Sequence, residues 1–323
     1  MLQVLPHQKE LMNTAVLGQH HLPDDTVSLN FREFIKLCKK TLPSDNPRIF
    51  HARRNDEMIQ ALIAKKLFGA KIKIVFTSTA QRHHSGFTRW LMSKMDAIIT
   101  TCNAANSYLK TPADIIIPHG INIDAYTPST KEISDTIKIG VFGRIRPSKG
   151  IDLLLDAAIP VLENNPQVHL TICGETTPKF QSYVDEQKQK ITGADMVSQV
   201  TFLGKVPFNT LPELYRNMDI VCALSRNEGF GLTPLEAMAS GVAVLTSEAG
   251  AWTDIIQNGI QGYCVPIGDI KATQEKLENM INDPAKLTEM GKAGRLHVEK
   301  HYTNKKEAQQ LCDFFTKLQN SSL

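Results

Sequence analysis

Residues 220–245 read I-V-C-A-L-S-R-N-E-G-F-G-L-T-P-L-E-A-M-A-S-G-V-A-V-L. The apolar run Ile220–Leu224 ends in a polar turn bearing Gly229 and Gly231. A helix opens at Thr233-Pro234, and Gly241 closes it ahead of a second apolar run, Val242–Leu245. Strand, loop, helix and strand in that order form the unit from which parallel sheets are built. The two glycines let backbone approach a ligand closely, and the helix start offers free N–H groups to an anion. Glu228 lies on the loop and Glu236 in the first helical turn, a spacing that suits two carboxylates holding different hydroxyls of one sugar nucleotide. A plainer role stays open for the second. Thr233-Pro-Leu-Glu236 is also a capping box with proline at its start, and one carboxylate has oxygens enough for both tasks.

The same alternation extends in both directions. Upstream, Lys138–Phe142 reads as a strand, Gly143-Arg-Ile-Arg-Pro-Ser-Lys-Gly150 as a basic loop, and Ile151–Asn164 as an amphipathic helix. Such a loop before a helix start is a phosphate-binding geometry, with Arg144 offering a fork of donors and Lys149 a compact charge. Val168–Cys173, Val200–Leu203 and Asp219–Leu224 supply further strands, and residues from Pro284 to Leu323 read as helical. In the first half, Thr14–Leu17, Arg48–His51, Ile72–Phe76, Ala97–Thr100 and Asp114–Ile117 read as short buried strands. Phe31–Lys40, Asn55–Phe68, Phe87–Met95 and Ala104–Leu109 read as the helices between them. The pattern predicts an α/β protein with two Rossmann-like, doubly wound parallel sheets, and ligands beyond the carboxyl ends of the strands. In the first half those ends carry His51–Asn55, Thr77–His84 and Thr101–Asn103, polar groups that suit an acceptor cleft. The turn-rich passage Pro118–Thr136 marks the boundary, giving domains over 1–125 and 126–300 and a C-terminal helical segment over 301–323.

Composition removes several classes. The 323 residues suffice for two cores, and the six cysteines show no C-x-x-C pair, which speaks against a zinc site or a disulfide framework. Cys173, Cys222 and Cys264 sit in strand-like apolar runs and read as reduced core residues. No apolar run approaches the 18 residues of a membrane-spanning helix. Net charge is +3, yet residues 1–125 hold 16 Lys and Arg against 10 Asp and Glu, and the remainder 20 against 23. A basic first half points to an anionic partner, while individual pairs such as Lys39-Lys40 or Lys65-Lys66 are better accounted for as solvated helix faces. No nucleic-acid motif accompanies the charge. No G-x-G-x-x-G follows a strand, which argues against a nicotinamide-dependent oxidoreductase.

E-G-F-G-L-T-P-L-E-A-M-A-S-G resembles the E-x7-E signature of the large retaining glycosyltransferase family with the GT-B fold, often called family 4. Pro118-His-Gly-Ile-Asn122 resembles the P-N-G-V-D link between the two domains of those enzymes, with His119 in place of asparagine. H-A-R-R-N at 51–55, F-T-S-T-A-Q-R-H-H-S-G-F-T-R-W at 76–90 and P-H-G-I at 118–121 look like the lipopolysaccharide core mannosyltransferases of Gram-negative bacteria. The resemblance implies two domains facing a cleft, a final helix crossing back to the first, and GDP-mannose as donor to an acceptor such as Kdo-lipid A. It also implies an enzyme in the cytoplasm, associated with the inner-membrane face.

By the same resemblance Arg144 and Lys149 hold the donor diphosphate, Glu228 the donor sugar and Glu236 the nucleotide ribose. Gly143, Gly174, Val206, Phe230, Gly231 and Leu232 complete the donor site. His83 and His84 are candidates for a general-acid or acceptor-orienting group, and Arg53, Arg54 and Arg82 for holding an acidic acceptor through bidentate contacts. An ion pair with Asp56, Glu57 or Asp96 is the alternative for those arginines. The sequence has no D-x-D run, and with two cations at the diphosphate no divalent metal or other cofactor is expected. One departure stands out: a GT-B domain begins with a strand and a glycine-rich loop, whereas Leu2–Leu11 reads as the helix after that loop. The expectation is that the natural reading frame starts roughly 20 residues earlier, one strand plus its loop. A catalytically impaired nucleotide-sugar-binding remnant remains the alternative to an active transferase.

Overall fold

The computed structural model describes residues 3–18, 22–129 and 136–321. Leu2 and residues 130–135 of the boundary passage lie outside the described residues. The chain divides into two compact units, one of Met1–Gly120 with Asn304–Leu323 and the other of Ile121–Thr303. In chain order the first holds α1 (Leu5–Leu11), β1 (Val16–Leu17), β2 (Ser28–Leu29), α2 (Phe31–Cys38), β3 (Arg48–Ala52), α3 (Asn55–Leu67), β4 (Ile72–Ser78), α4 (Gly86–Met92), β5 (Ala97–Thr100), α5 (Asn103–Ser107) and β6 (Ile115–Ile116). The second holds β7 (Ile137–Phe142), α6 (Ile151–Glu163), β8 (Val168–Cys173), α7 (Gln181–Gly193), β9 (Val200–Gly204), α8 (Leu211–Arg216), β10 (Ile220–Ala223), α9 (Thr233–Ala239), β11 (Ala243–Ser247), α10 (Trp252–Ile255), β12 (Gly262–Val265), α11 (Ile270–Ile281) and α12 (Pro284–His301). Helix α13 (Asn304–Asn320) belongs to the first unit.

In the first unit β3-β4-β5-β6 is a parallel four-stranded sheet in sequence order, and β1-β2 a separate parallel pair. All seven residues of β4 are buried, as expected of a strand covered on both faces. Phe34, Ile35 and Cys38 of α2 and Ala61 and Ala64 of α3 cover Ile72 and Ile74. Ala308, Leu311 and Phe315 of α13 pack with Val75, Ile99 and Ile117. The start of α2 is fixed by a capping box: the Asn30 side chain accepts from the N–H groups of Arg32 and Glu33, and Glu33 accepts from that of Asn30. Lys73, the second residue of β4, is 4% exposed, a costly place for an ammonium. It donates to the carbonyls of Leu318 (2.7 Å) and Ser321 (2.8 Å), where the last turn of α13 leaves oxygens without helical partners.

The six strands of the second unit are all parallel, in the order β12-β11-β10-β7-β8-β9. From β7 the chain builds outward through β8 and β9, then returns to the other side of β7 with β10. The switch point therefore lies between β7 and β10, and a parallel doubly wound sheet opens its ligand crevice there. Ile139, Leu170, Ile220 and Leu245 fill the core, with Leu154, Leu155 and Ala158 of α6 packed on them. The strand readings at 97–100 and 168–173 coincide with β5 and β8. The helix expected over Phe87–Met95 is instead Gly86–Met92, because Ser85 caps it by accepting from the Thr88 N–H (3.2 Å).

His51, in β3, has its Nε2 2.7 Å from the Thr77 hydroxyl and its ring against Phe315 at 5.2 Å. Burial, and then the Arg53 charge, push its pKa from 6.5 down to about 3. A histidine held neutral in the fold and free to protonate when unfolded stabilises fully above its unfolded pKa. That stability is lost as the pH falls toward 3. The loss at pH 5 is at most about 2 kcal/mol. His51→Gln should flatten the fall in melting temperature between pH 7 and pH 5, and an unchanged slope would refute this.

Candidate active site

At the switch point of the second unit, the loop after β7 and the loop after β10 meet. Lys149 of the first forms an ion pair with Glu228 of the second, and both side chains are mostly covered, at 21% and 17% exposure. Glu228 also accepts from the Ser225 hydroxyl (3.4 Å) and the Gly229 N–H (3.2 Å). Arg226 fastens the two loops together. Its guanidinium donates to both oxygens of Asp152 on α6 (2.9 and 2.7 Å) and to the Pro147 carbonyl (2.5 Å), and its N–H donates to the Ser148 carbonyl (2.9 Å). The bidentate geometry fixes orientation as well as distance. Arg226 lies within the stretch that defines the site, yet only the fold shows what it holds.

Of the other donor-site candidates, Gly143 lies against Lys149 and Gly231 against Glu228. Gly143 and Arg144 are exposed at the end of β7. Gly174, at the end of β8, sits so close that a Cβ there would lie 1.8 Å from the Gly143 carbonyl oxygen, so contact between the two loops itself demands glycine. Val206 is half-buried beyond β9. Phe230 is buried, and the Trp252 indole donates to the Gly231 carbonyl at 3.0 Å. At Gly231 a side chain would meet both Glu228 and Trp252, with φ at +78° besides. Leu232, 37% exposed, is the N-cap residue of α9.

Glu236 departs from the capping expectation. Thr233 is already inside the helix, Leu232 occupies the cap position, and no side chain caps it. The Glu236 carboxylate instead accepts from two tyrosine hydroxyls, Tyr126 at 3.1 Å and Tyr215 at 2.7 Å. The reason is the environment: both tyrosines are at most 2% exposed, and a buried hydroxyl needs an acceptor. Burial pushes the Glu236 carboxyl above its ordinary value, opposed by the two tyrosine bonds. Burial first, and the Glu236 charge second, raise both phenols. Tyr215 also stacks on Phe142 at the end of β7, with ring centroids 3.9 Å apart. Neither tyrosine was singled out from the sequence, and their distance along the chain leaves no local signal.

In the first unit, the strand ends hold the remaining candidates. Arg53 Nη2 lies 4.0 Å from Glu307 of α13, and burial lowers the Arg53 pKa. Glu307, 5% exposed, also meets His119 Nδ1 (3.0 Å) and the Gly120 N–H (2.8 Å). Burial alone would raise the Glu307 carboxyl, but His119, Gly120 and Arg53 together hold it below its ordinary value. Arg54 pairs with Glu57 at 3.0 Å and Asp56 at 4.0 Å, the structural alternative named for it. Arg82 and His83 are exposed, and the His83 ring meets Tyr108 at 5.3 Å. His84 has its Nε2 3.0 Å from the Ser78 hydroxyl; burial, then Arg82 and Arg89, lower its pKa.

Glu236→Ala leaves two buried hydroxyls without an acceptor and should lower stability by about 2–3 kcal/mol. Glu236→Gln keeps an acceptor oxygen for one tyrosine, offers an N–H₂ group to the other and removes the buried charge, so it should lose clearly less than Glu236→Ala. Denaturant titration checks both, and equal losses would mean that the charge, not the acceptor, holds the tyrosines.

Residues 122–297 match the family described as glycosyl transferases group 1. The chain is 33% identical over 331 aligned residues to the lipopolysaccharide core biosynthesis mannosyltransferase LpsB of Rhizobium meliloti (strain 1021), covering 98% of this chain and 93% of that one. It is 34% identical to LpcC, of the same description, from Rhizobium leguminosarum bv. viciae, covering 95% and 89%. Among solved structures, the C-terminal domain of the group 1 family protein LpcC from Francisella tularensis is 33% identical. It covers 57% of this chain and 99% of its own, with a TM-score of 0.54. Sucrose-phosphate synthase from Thermosynechococcus elongatus, 21% identical with a TM-score of 0.73 over 84% of this chain and 74% of its own, shares the fold, which is GT-B. The chain is a glycosyltransferase of the group 1 family.

Proposed function

We propose that this glycosyltransferase is a retaining, family 4 enzyme that moves mannose from GDP-mannose to an acidic, lipid-linked lipopolysaccharide core acceptor such as Kdo-lipid A. The observation that carries the donor half is the Lys149–Glu228 pair at the switch point, with Arg144 exposed on the same loop. The named activity of the two Rhizobium relatives supports mannose and the core acceptor.

In this reading a donor diphosphate displaces the Glu228 carboxylate from Lys149 and takes Arg144 as its second cation. Glu228, released from the lysine, accepts hydroxyls of the sugar. Glu236 keeps lone pairs for the ribose while Tyr126 and Tyr215 fix its carboxylate. As the bond from sugar to phosphate breaks, negative charge grows on the leaving diphosphate and positive charge on the sugar ring. Arg144, Lys149 and the N–H groups around Phe230–Leu232 are the donors for the first, prepositioned so that little reorganisation is needed. Those cations do the work a divalent metal would otherwise do. For the acceptor, His84 or His83 of the first unit is the group that would orient its hydroxyl. Acceptor location calls for a membrane surface. No helix among the described residues is long and apolar enough to cross one. On α4, however, Phe87 (55% exposed) and Trp90 (54% exposed) stack at 6.1 Å beside the exposed Arg89, a combination suited to the interface of an anionic bilayer.

Arg144→Ala and Lys149→Ala should each cut transfer by about 10²–10³-fold, the cost of one donor to developing charge. The assay uses labelled GDP-mannose with Kdo-lipid A, UDP-sugars as controls, and NMR of the product anomer. Inversion of configuration would refute the retaining assignment, and absence of transfer from any nucleotide sugar would leave the protein a binding remnant.

Trp90 and Trp252 are the two tryptophans of the chain, and Trp252 is 1% exposed. Anionic vesicles should therefore shift the fluorescence to the blue through Trp90, with reversal by salt and little effect from neutral vesicles. Equal response to both vesicle types, or an undiminished response in Trp90→Phe, would rule out this face.

A further inference from the structure

The first unit contains a cavity of about 410 Å³ lined by His83, His84, Arg89, Tyr108, Leu109 and Lys110. Three segments build it: the turn after β4, helix α4, and the chain leaving α5. It stands beside the carboxyl end of β4, on the sheet edge where a parallel α/β domain places its ligands. Its volume is within the range of small-molecule sites.

The chemistry of the wall is one-sided. Arg89 and Lys110 contribute full charges, Arg82 adjoins His83 in sequence, and no carboxylate lines the space. Among the described residues none of these three cations has an ion pair. Elsewhere in this unit Lys9 pairs with Asp25, Arg54 with Glu57, Lys65 with Asp96, and Lys73 with helix carbonyls, while solvent-facing lysines such as Lys36 and Lys66 stand apart from this wall. Arg89 has one fixed contact, to the His84 carbonyl at 3.0 Å, which ties α4 to the histidine turn and leaves most of its fork of donors unused. His84 is committed to Ser78 through Nε2, so Nδ1 is its ring atom without a protein partner. Tyr108 is held against His83 and offers a hydroxyl. Unpaired cations gathered in a concave, donor-rich space attract an anion more strongly than the same charges spread over a convex surface.

We propose that this cavity is an anion subsite for the acceptor, in which Arg89 and Lys110 supply charge and His83, His84 and Tyr108 supply hydrogen bonds to a carboxylate or phosphate. The assignment rests on the transferase reading for its acceptor. It replaces Arg53 and Arg54 in that role, because Glu307 and Glu57 already engage those two.

The test follows the ring C–H resonances of His83 and His84 by NMR, assigned with His83→Gln, during titration with inorganic phosphate, free Kdo and, as an uncharged control, glucose. Saturable shifts with an anion but not glucose are expected, weakened at least tenfold by Lys110→Ala and by Arg89→Ala and largely retained in Arg89→Lys. Response to Kdo alone assigns a carboxylate, and response to phosphate alone assigns a phosphate. No saturable shift in the wild type, or equal affinity in Lys110→Ala, overturns the subsite. Since Arg89→Ala also breaks the bond to the His84 carbonyl, Lys110→Ala is the deciding variant. GDP binding, measured on the wild type, reads the transferase proposal separately. A protein that binds GDP and ignores both anions loses only the subsite, and one that binds an anion here but not GDP loses only the GDP-mannose donor.

Discussion

In the second unit every strand runs the same way, and the chain changes its direction of growth once, between β7 and β10. Helices that cover the two faces from opposite sides cannot both fill the space above that gap, so a crevice opens there. Everything at the candidate site follows from this constraint. The loops after β7 and β10 are the two nearest the gap, which is why Lys149 and Glu228 meet although 79 residues separate them. Arg226 and Asp152 make the meeting rigid, and Gly174 allows the loop after β8 to close against Gly143.

The strands and the parallel sheets were legible in the sequence, because a buried strand is an apolar run and a buried run admits few other readings. Val168–Cys173 is a strand on those grounds alone. Strands β1 and β2, of two residues each, carry too little pattern to mark their ends. The glutamate pair was legible as chemistry, whereas the partner of Glu236 was not. Thr-x-x-Glu looks the same whether threonine precedes the helix or begins it, and here it begins it. What decides between those cases is a pair of tyrosines 110 and 21 residues away. Likewise Arg53 and Arg54 share one motif but have separate fates, since Glu307 reaches Arg53 from α13 across a long stretch of chain.

Charge in the first unit shows the same dependence on fold. The sequence reveals an excess of cations before residue 126, but not which are spent on structure. Lys65 is consumed by Asp96, and Arg48 donates to the Lys40 carbonyl. Of the cations that remain, Arg82 and Arg89 lie at α4 and the turn before it, where exposed aromatic rings also stand. A uniform basic surface and a local basic hollow have the same net charge and very different fields.

Lys73 has a consequence in time. Its carbonyl partners at Leu318 and Ser321 are synthesised 245 and 248 residues after it. At 5–20 residues per second, roughly ten to fifty seconds pass in which the strand exists and its partners do not. During that interval the ammonium must stay in water, and so must the apolar flank of Val75 and Ile99 that α13 will cover. The first unit therefore begins translation before the second and is completed after it, so a nascent chain paused anywhere before α13 presents an open sheet face to chaperones.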